Sequence, residues 1–193
     1  MTTILLVRHG ETDWNRDNRF QGHADPPLND RGRGQARELA ARLGEEEVDA
    51  VFTSPLRRAR ETAEIIGDAL VLPVAAHQGL REVDVGEWQG LTRDEIATRY
   101  PEAFARWLGY GRGWERGETY EAMAERTLDA VHDISAAYPR GHVVVVTHGG
   151  PVRALFASAA GITHTEARRR TSVIANCGVA HFAVEDGAVR AVD

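Results

Sequence analysis

Apolar residues follow two rhythms along this chain. Ile4-Leu5-Leu6-Val7 is an uninterrupted apolar run, as expected of a strand covered on both faces, and Val143-Val144-Val145-Val146 repeats it far downstream. Elsewhere the period lengthens. From Asn29 or Asp30 onward, Ala36, Leu39, Ala40 and Leu43 recur at three- and four-residue spacing and predict a helix. Ala50-Val51-Phe52-Thr53 predicts a short strand. Ser54-Pro55 then reads as an N-cap with proline in the first turn of a helix whose inner face is Leu56, Ala59, Ala63, Ile66 and Leu70. Leu72 to Ala75 predicts another strand. Thr92-Arg93-Asp94-Glu95 is a capping box opening a short helix that Pro101 interrupts. A longer helix is expected from about Tyr120 to Tyr138, and another from near Pro151. Asp186-Gly187 turns a closing hairpin between Val179–Val184 and Val189–Val192. Two stretches keep neither rhythm: Asp13 to Pro27, read as a loop over the site, and Leu80 to Gly90, whose polar residues and glycines predict an ordered loop.

This alternation predicts the α/β class, a three-layer sandwich with a mostly parallel central sheet and helices on both faces. The 193 residues contain no Pro/Gly/Ser-rich linker, so one domain spanning 1–193 is expected.

The two apolar strands end alike, in Arg8-His9-Gly10-Glu11-Thr12 and in Thr147-His148-Gly149-Gly150. Ligands of α/β sheets sit beyond the carboxyl ends of the strands. A guanidinium beside an imidazole, followed by a glycine that lets the backbone come close, suits an oxyanion such as phosphate. The helix after Ser54 points at the same crevice and carries Arg57, Arg58 and Arg60, among which helical geometry alone does not choose. In the polar loop Glu82, Asp84 and Glu87 are candidate acids; each could instead pair with an arginine. Trp107, Tyr110 and Trp114 either line the entrance, favouring apolar or aromatic leaving groups, or pack helical pieces against the sheet.

Composition removes several alternatives. A net charge of −6 and no dominant basic stretch argue against nucleic acid or an anionic membrane as partner. Arg168-Arg169-Arg170 beside Glu166 reads as a solvated helix end. No apolar stretch approaches membrane-spanning length and the N-terminus lacks signal-peptide character, so a cytoplasmic location is expected. Cys177 stands alone, which excludes an internal disulfide and a cysteine-based zinc cluster and fits a reducing compartment. The other histidines lack a third ligand at compatible spacing, so no metal site is expected. All 23 basic residues are arginine; the absent lysine rules out a Schiff-base lysine and a Walker-type phosphate loop.

Arg8-His9-Gly10-Glu11-Thr12, Ser54-Pro55-Leu56 with Arg58-Ala59 and Thr62-Ala63, the Glu82/Gly86/Trp88/Gly90 loop, and Thr147-His148-Gly149-Gly150 together resemble the histidine phosphatase superfamily, which holds cofactor-dependent phosphoglycerate mutases and their phosphatase relatives. The four motifs stand in the family's order over nearly the whole chain. The resemblance implies a phosphohistidine mechanism with His9 as nucleophile and Glu82 as proton donor and acceptor. It also implies that Arg8, Arg58 and His148 surround the phosphoryl group, with Asn15, Gln21, Gly22 and Gly149 as further contacts. No cofactor is implied. Within the family, Arg116-Gly117-Glu118-Thr119 and the compact segment between Glu82 and His148 look like the short phosphatase branch. Val83 and Val85 replace an arginine and a tyrosine of the mutase pattern, and Arg93 replaces its lysine. The expected activity is hydrolysis of small phosphomonoesters. A phosphoglycerate mutase and a noncatalytic phospholigand-binding protein are the alternatives; the presence of His9 and Glu82 weighs against the latter. The sequence leaves assembly open, a homodimer included.

Overall fold

The structure, a computed structural model, describes residues 1–192. In chain order the elements are β1 (Thr2–Arg8), α1 (Asp13–Arg16), α2 (Asp30–Leu43), β2 (Ala50–Thr53), α3 (Arg57–Leu70), β3 (Val74–Ala76) and α4 (Arg93–Arg99). They continue with α5 (Pro101–Leu108), α6 (Tyr120–Ala137), β4 (His142–Thr147), α7 (Gly149–Ala159), α8 (His164–Arg170), β5 (Val179–Glu185) and β6 (Ala188–Val192). The six strands form one sheet in the order β3-β2-β4-β1-β5-β6. β3, β2, β4 and β1 pair in parallel; β5 and β6 extend the sheet by antiparallel pairing.

The uninterrupted apolar runs follow from the layering. Ile4, Leu6, Val143 and Val145 turn to one face and pack with Val131 and Ile134 of α6 and Val152 and Leu155 of α7. Leu5, Val7, Val144 and Val146 turn to the other and meet α2 and α3 through Leu39, Leu43, Ala59 and Ile66. With both faces covered, the middle of these two strands has no position for a polar residue, and each such apolar side chain contributes on the order of 1.5–3 kcal/mol. The three layers and the parallel core match the expected class.

The β1–β4 register places Arg8 opposite Thr147. The ladder continues one step further, with the His9 amide donating to the Thr147 carbonyl at 2.9 Å. His9 and His148 therefore leave the sheet side by side.

A third apolar cluster lies over this end of the sheet. Trp88 and Trp114 are fully buried there with Val83, Val85, Ile96 and Met123. Trp88 thus turns the glycine-rich loop into fixed structure, as the sequence predicted for Leu80 to Gly90.

Three local expectations are corrected. The stretch from Asp13 begins with the one-turn helix α1, held by a capping box between Thr12 and Asn15; four residues are too few to show a period. α3 starts at Arg57, with Leu56 in the cap position and no side-chain cap, because the Ser54 hydroxyl is engaged elsewhere. β3 begins at Val74, two residues after the predicted start. Val71 takes a left-handed conformation (φ 56°) that closes α3, and Pro73 has no amide for the ladder.

Candidate active site

His9 is the best-defined group. Its Nδ1 donates to the Gly10 carbonyl at 2.7 Å, since a carbonyl can only accept. That fixes the tautomer and leaves an unprotonated Nε2, toward which the Nε–H of Arg58 points at 3.3 Å. Burial, then Arg58 and Arg8, hold the His9 pKa well below its ordinary 6.5. The imidazole is neutral at pH 7 with its lone pair presented.

Arg58 settles the question left among three arginines. It is wholly buried, and its remaining fork donates to the carbonyls of Ala24 (2.8 Å) and Gly22 (2.9 Å). Desolvation brings its pKa down to about 10, so it stays charged at neutral pH. Arg57 and Arg60 lie on the outer face and pair with Glu61 and Glu64. Arg8, the last residue of β1, donates to the Ile174 carbonyl at 2.8 Å, and its buried Nε has no protein partner.

His148 lies 5.1 Å from His9 between ring centroids. Its Nε2 is 2.7 Å from the Ser54 hydroxyl, which already accepts the Leu56 amide at 3.3 Å. The hydroxyl proton is therefore free for Nε2, leaving Nδ1 as an N–H donor that no protein group meets. Burial, then Arg58 and His9, hold this second imidazole neutral.

Glu82 enters from the loop after β3. Its carboxylate accepts the Val83 amide at 2.9 Å and the Gly150 amide, at the first turn of α7, at 3.1 Å. A side chain at Gly150 would push that carboxylate out of its present position. The loop backbone is clamped as well: His23 and Arg126 both donate to the Glu82 carbonyl, at 2.7 and 2.8 Å. Asp84 and Glu87 are structural instead. Asp84 accepts the Gly86 amide, and Glu87 accepts the amides of Glu115 and Arg116.

These groups surround a cavity of about 250 Å³, whose wall includes Arg8, His9, Arg58, Glu82, Asn15, Gln21, Gly22 and Gly149. The side-chain oxygen of Asn15 is taken by Thr12, which turns its amide nitrogen to other uses. All the site residues expected from the sequence thus come together, His148 lying behind the wall as a fully buried neighbour of His9. The aromatic triplet divides: Trp107 lines the cavity, Trp114 is core, and Tyr110 stands outside the lining. Sequence reasoning missed Tyr120, Arg153 and Arg168, which complete the outer wall, and Arg126, which braces the Glu82 loop. For Arg153 a signal exists: it stands four residues after Gly149, on the same helix face. Among the described residues no group of three or more His, Cys, Asp or Glu could hold a metal ion, and no helix is long and apolar enough to cross a membrane.

A concave site with one imidazole at its floor, a second behind it, and unpaired guanidiniums in its wall suits a protein that handles phosphate esters. Comparison with known proteins narrows this class: the model of the histidine phosphatase superfamily (branch 1) matches residues 4–193, and the chain belongs to that family. Among curated relatives, the uncharacterized phosphatase PhoE of Bacillus subtilis (strain 168) is 37% identical over 161 residues, covering 83% of this chain and 79% of its own. The metal-independent phosphoserine phosphatase of Arabidopsis thaliana is 40% identical over 161 residues, covering 81% and 68%. Among solved structures, Bacillus stearothermophilus YhfR superposes with a TM-score of 0.91 at 34% identity, covering 99% of this chain and 95% of that one.

Proposed function

We propose that this protein is a phosphomonoesterase that hydrolyses small phosphorylated metabolites through a phosphohistidine on His9. The observation that carries the reading is the pinned His9 ring, with Nδ1 bound to Gly10 and an unprotonated Nε2 facing Arg58 at the cavity floor. Relatives named as phosphatases support the same reaction class.

In the first step the Nε2 lone pair forms a bond to phosphorus. The phosphorus–oxygen ester bond breaks, and the leaving oxygen takes a proton from Glu82. In the second, Glu82 removes a proton from water as its oxygen attacks phosphorus; the nitrogen–phosphorus bond breaks and His9 regains its lone pair. Phosphoryl transfer asks chiefly for positioning and for charge on the nonbridging oxygens. Arg8, Arg58 and the His148 Nδ1–H supply that charge and hydrogen bonding, and Asn15, Gln21, Gly22 and Gly149 line the rest of the phosphoryl end. No step calls for a metal ion, in keeping with the name of the Arabidopsis relative. The single cysteine, buried and with its thiol pKa pushed up to about 12 by burial, is consistent with a cytoplasmic setting.

The test is chemical trapping. Enzyme quenched during turnover should carry phosphate on His9, labile to acid and stable to base, and His9→Ala should lose essentially all turnover. A label on His148, or substantial activity in His9→Ala, would overturn the assignment.

A further inference from the structure

The arginines of the cavity outnumber what one phosphoryl group uses. Arg8, Arg19, Arg58, Arg153 and Arg168 all line it; Arg19 pairs with Glu95, whereas the other four have no ion pair among the described residues, in a chain whose other arginines make many surface pairs. Among the described residues Glu82 is the only carboxylate of the wall. A phosphate dianion between Arg8 and Arg58 leaves two guanidiniums without a counter-charge, and Glu82 must be protonated when it acts as the acid. Like charges gathered in a half-buried pocket repel one another unless something neutralises them.

The two spare guanidiniums lie together at the outer end. Arg153 is on α7, one turn beyond Gly149, so it stands about 6 Å along the helix axis from the phosphoryl end. Among the described residues its buried Nε has no partner, and its one acceptor, the Thr171 carbonyl, is distant at 3.5 Å. Arg168 lies over the Tyr120 ring at 4.3 Å, steadied by the Tyr110 carbonyl at 2.7 Å. Burial lowers the pKa of both, and Arg168 lowers that of Arg153 further. Between the two ends the wall is apolar, with Val83, Val85 and Trp107.

We infer that Arg153 and Arg168 form a second anion subsite, and that the leaving group carries a carboxylate or phosphate on a short carbon chain, three or four bonds from the ester oxygen. This rests on the phosphatase reading above and names its substrate class. Val83 and Val85 remove the polar grip that the mutase pattern places after the catalytic glutamate; α7 and α8 supply the charge from the opposite side. The preference runs against the apolar leaving groups that the aromatic residues alone would suggest.

The experiment is calorimetric binding to the His9→Ala protein, which holds substrate without turning it over. 3-Phosphoglycerate and glycerol 3-phosphate differ in having a carboxylate or a hydroxymethyl group. The first should bind about tenfold tighter or better, the worth of one or two charge-assisted hydrogen bonds. Arg153→Gln in the same background should bring that ratio close to one, and Arg153→Lys should restore part of it. Propane-1,3-diol bisphosphate binding tighter than 3-phosphoglycerate would support the subsite with phosphate as its anion. Equal affinities for the carboxylated and uncarboxylated esters, or a ratio unmoved by Arg153→Gln, would overturn it. Turnover of p-nitrophenyl phosphate by the unmodified enzyme reports on the phosphatase reading separately: if it is absent, that reading falls while the binding ratio still judges the subsite.

Discussion

Three histidines of this protein are held neutral by their surroundings, and His164 shows the consequence for stability. Its ring stacks on Tyr120 at 4.8 Å, and burial, then Arg153 and Arg168, bring its pKa from 6.5 to about 4. The unfolded chain takes up a proton here near pH 6.5, whereas the folded protein does so only near pH 4. Stability present above pH 6.5 is therefore lost as the pH falls across that window, by about 1.4 kcal/mol per pH unit for each such group. His9 and His148, shifted in the same direction, steepen the slope. His164→Phe keeps the stacked ring and removes the base, so urea unfolding at a series of pH values should show a shallower acid loss; an unchanged slope would assign that proton to another group. At this scale the sequence was legible where a residue closes a strand. His9 and His148 announce themselves because apolar runs end on them. Arg126 and Arg168 do not: nothing local marks Arg126, Arg168 sits in an arginine run that reads as a solvated helix end, and only tertiary folding brings the one to the Glu82 loop and the other to the cavity.

At the scale of elements, the loop that holds Glu82, the proposed proton donor, runs between two single 3-10 turns, Gln78–Leu80 and Gly86–Trp88. Trp88 anchors it below, and Arg126 binds it from α6 by donating to the carbonyls of Gly79, Arg81 and Glu82 while pairing with Glu118 at 2.7 Å. Arg126→Met would leave those carbonyls and that carboxylate unmet, and a stability loss of about 2–4 kcal/mol is expected in chemical denaturation. With Glu82 as the proposed proton donor, the activity loss should be larger for an alkyl phosphate than for p-nitrophenyl phosphate, whose leaving group needs less protonation. An equal loss for both esters would mean that Arg126 serves folding alone. Long elements such as α2, α6 and β4 were readable from their periods to within a residue or so. The short ones were not: α1 is a single turn, β3 has three residues beside a proline, and Ser54 gives up capping α3 to bond His148. Only for Ser54 does a tertiary contact outweigh the local signal; the other two are too short to show a period.

For the whole molecule, the open question is phosphatase against mutase. A mutase must shield its phosphohistidine from water while a bound monophosphate reorients, and the compact stretch from α4 to α6 contributes a wall to the cavity without the long insertion of the mutase pattern. Incubation with 3-phosphoglycerate, with and without 2,3-bisphosphoglycerate, should release free phosphate faster than 2-phosphoglycerate forms. Cofactor-stimulated isomerisation that outruns phosphate release would identify a mutase. The layered architecture was visible in advance because both faces of the sheet demand apolar residues, so the two rhythms of the chain map directly onto layers. The adjacency of β1 and β4 was not, because strand order is written in no local pattern. Yet that adjacency sets the spacing of the imidazoles: their 5.1 Å separation is close to the roughly 4.8 Å pitch between neighbouring strands. The two imidazoles are thus spaced by the backbone ladder, the most rigid gauge a protein owns, whereas the groups proposed to meet the departing alcohol hang from α5, α7 and α8 on the rim. Reaction and diet are written at separate addresses in the chain, so descent with change can rewrite what is consumed while the chemistry at the strand ends stays as it was.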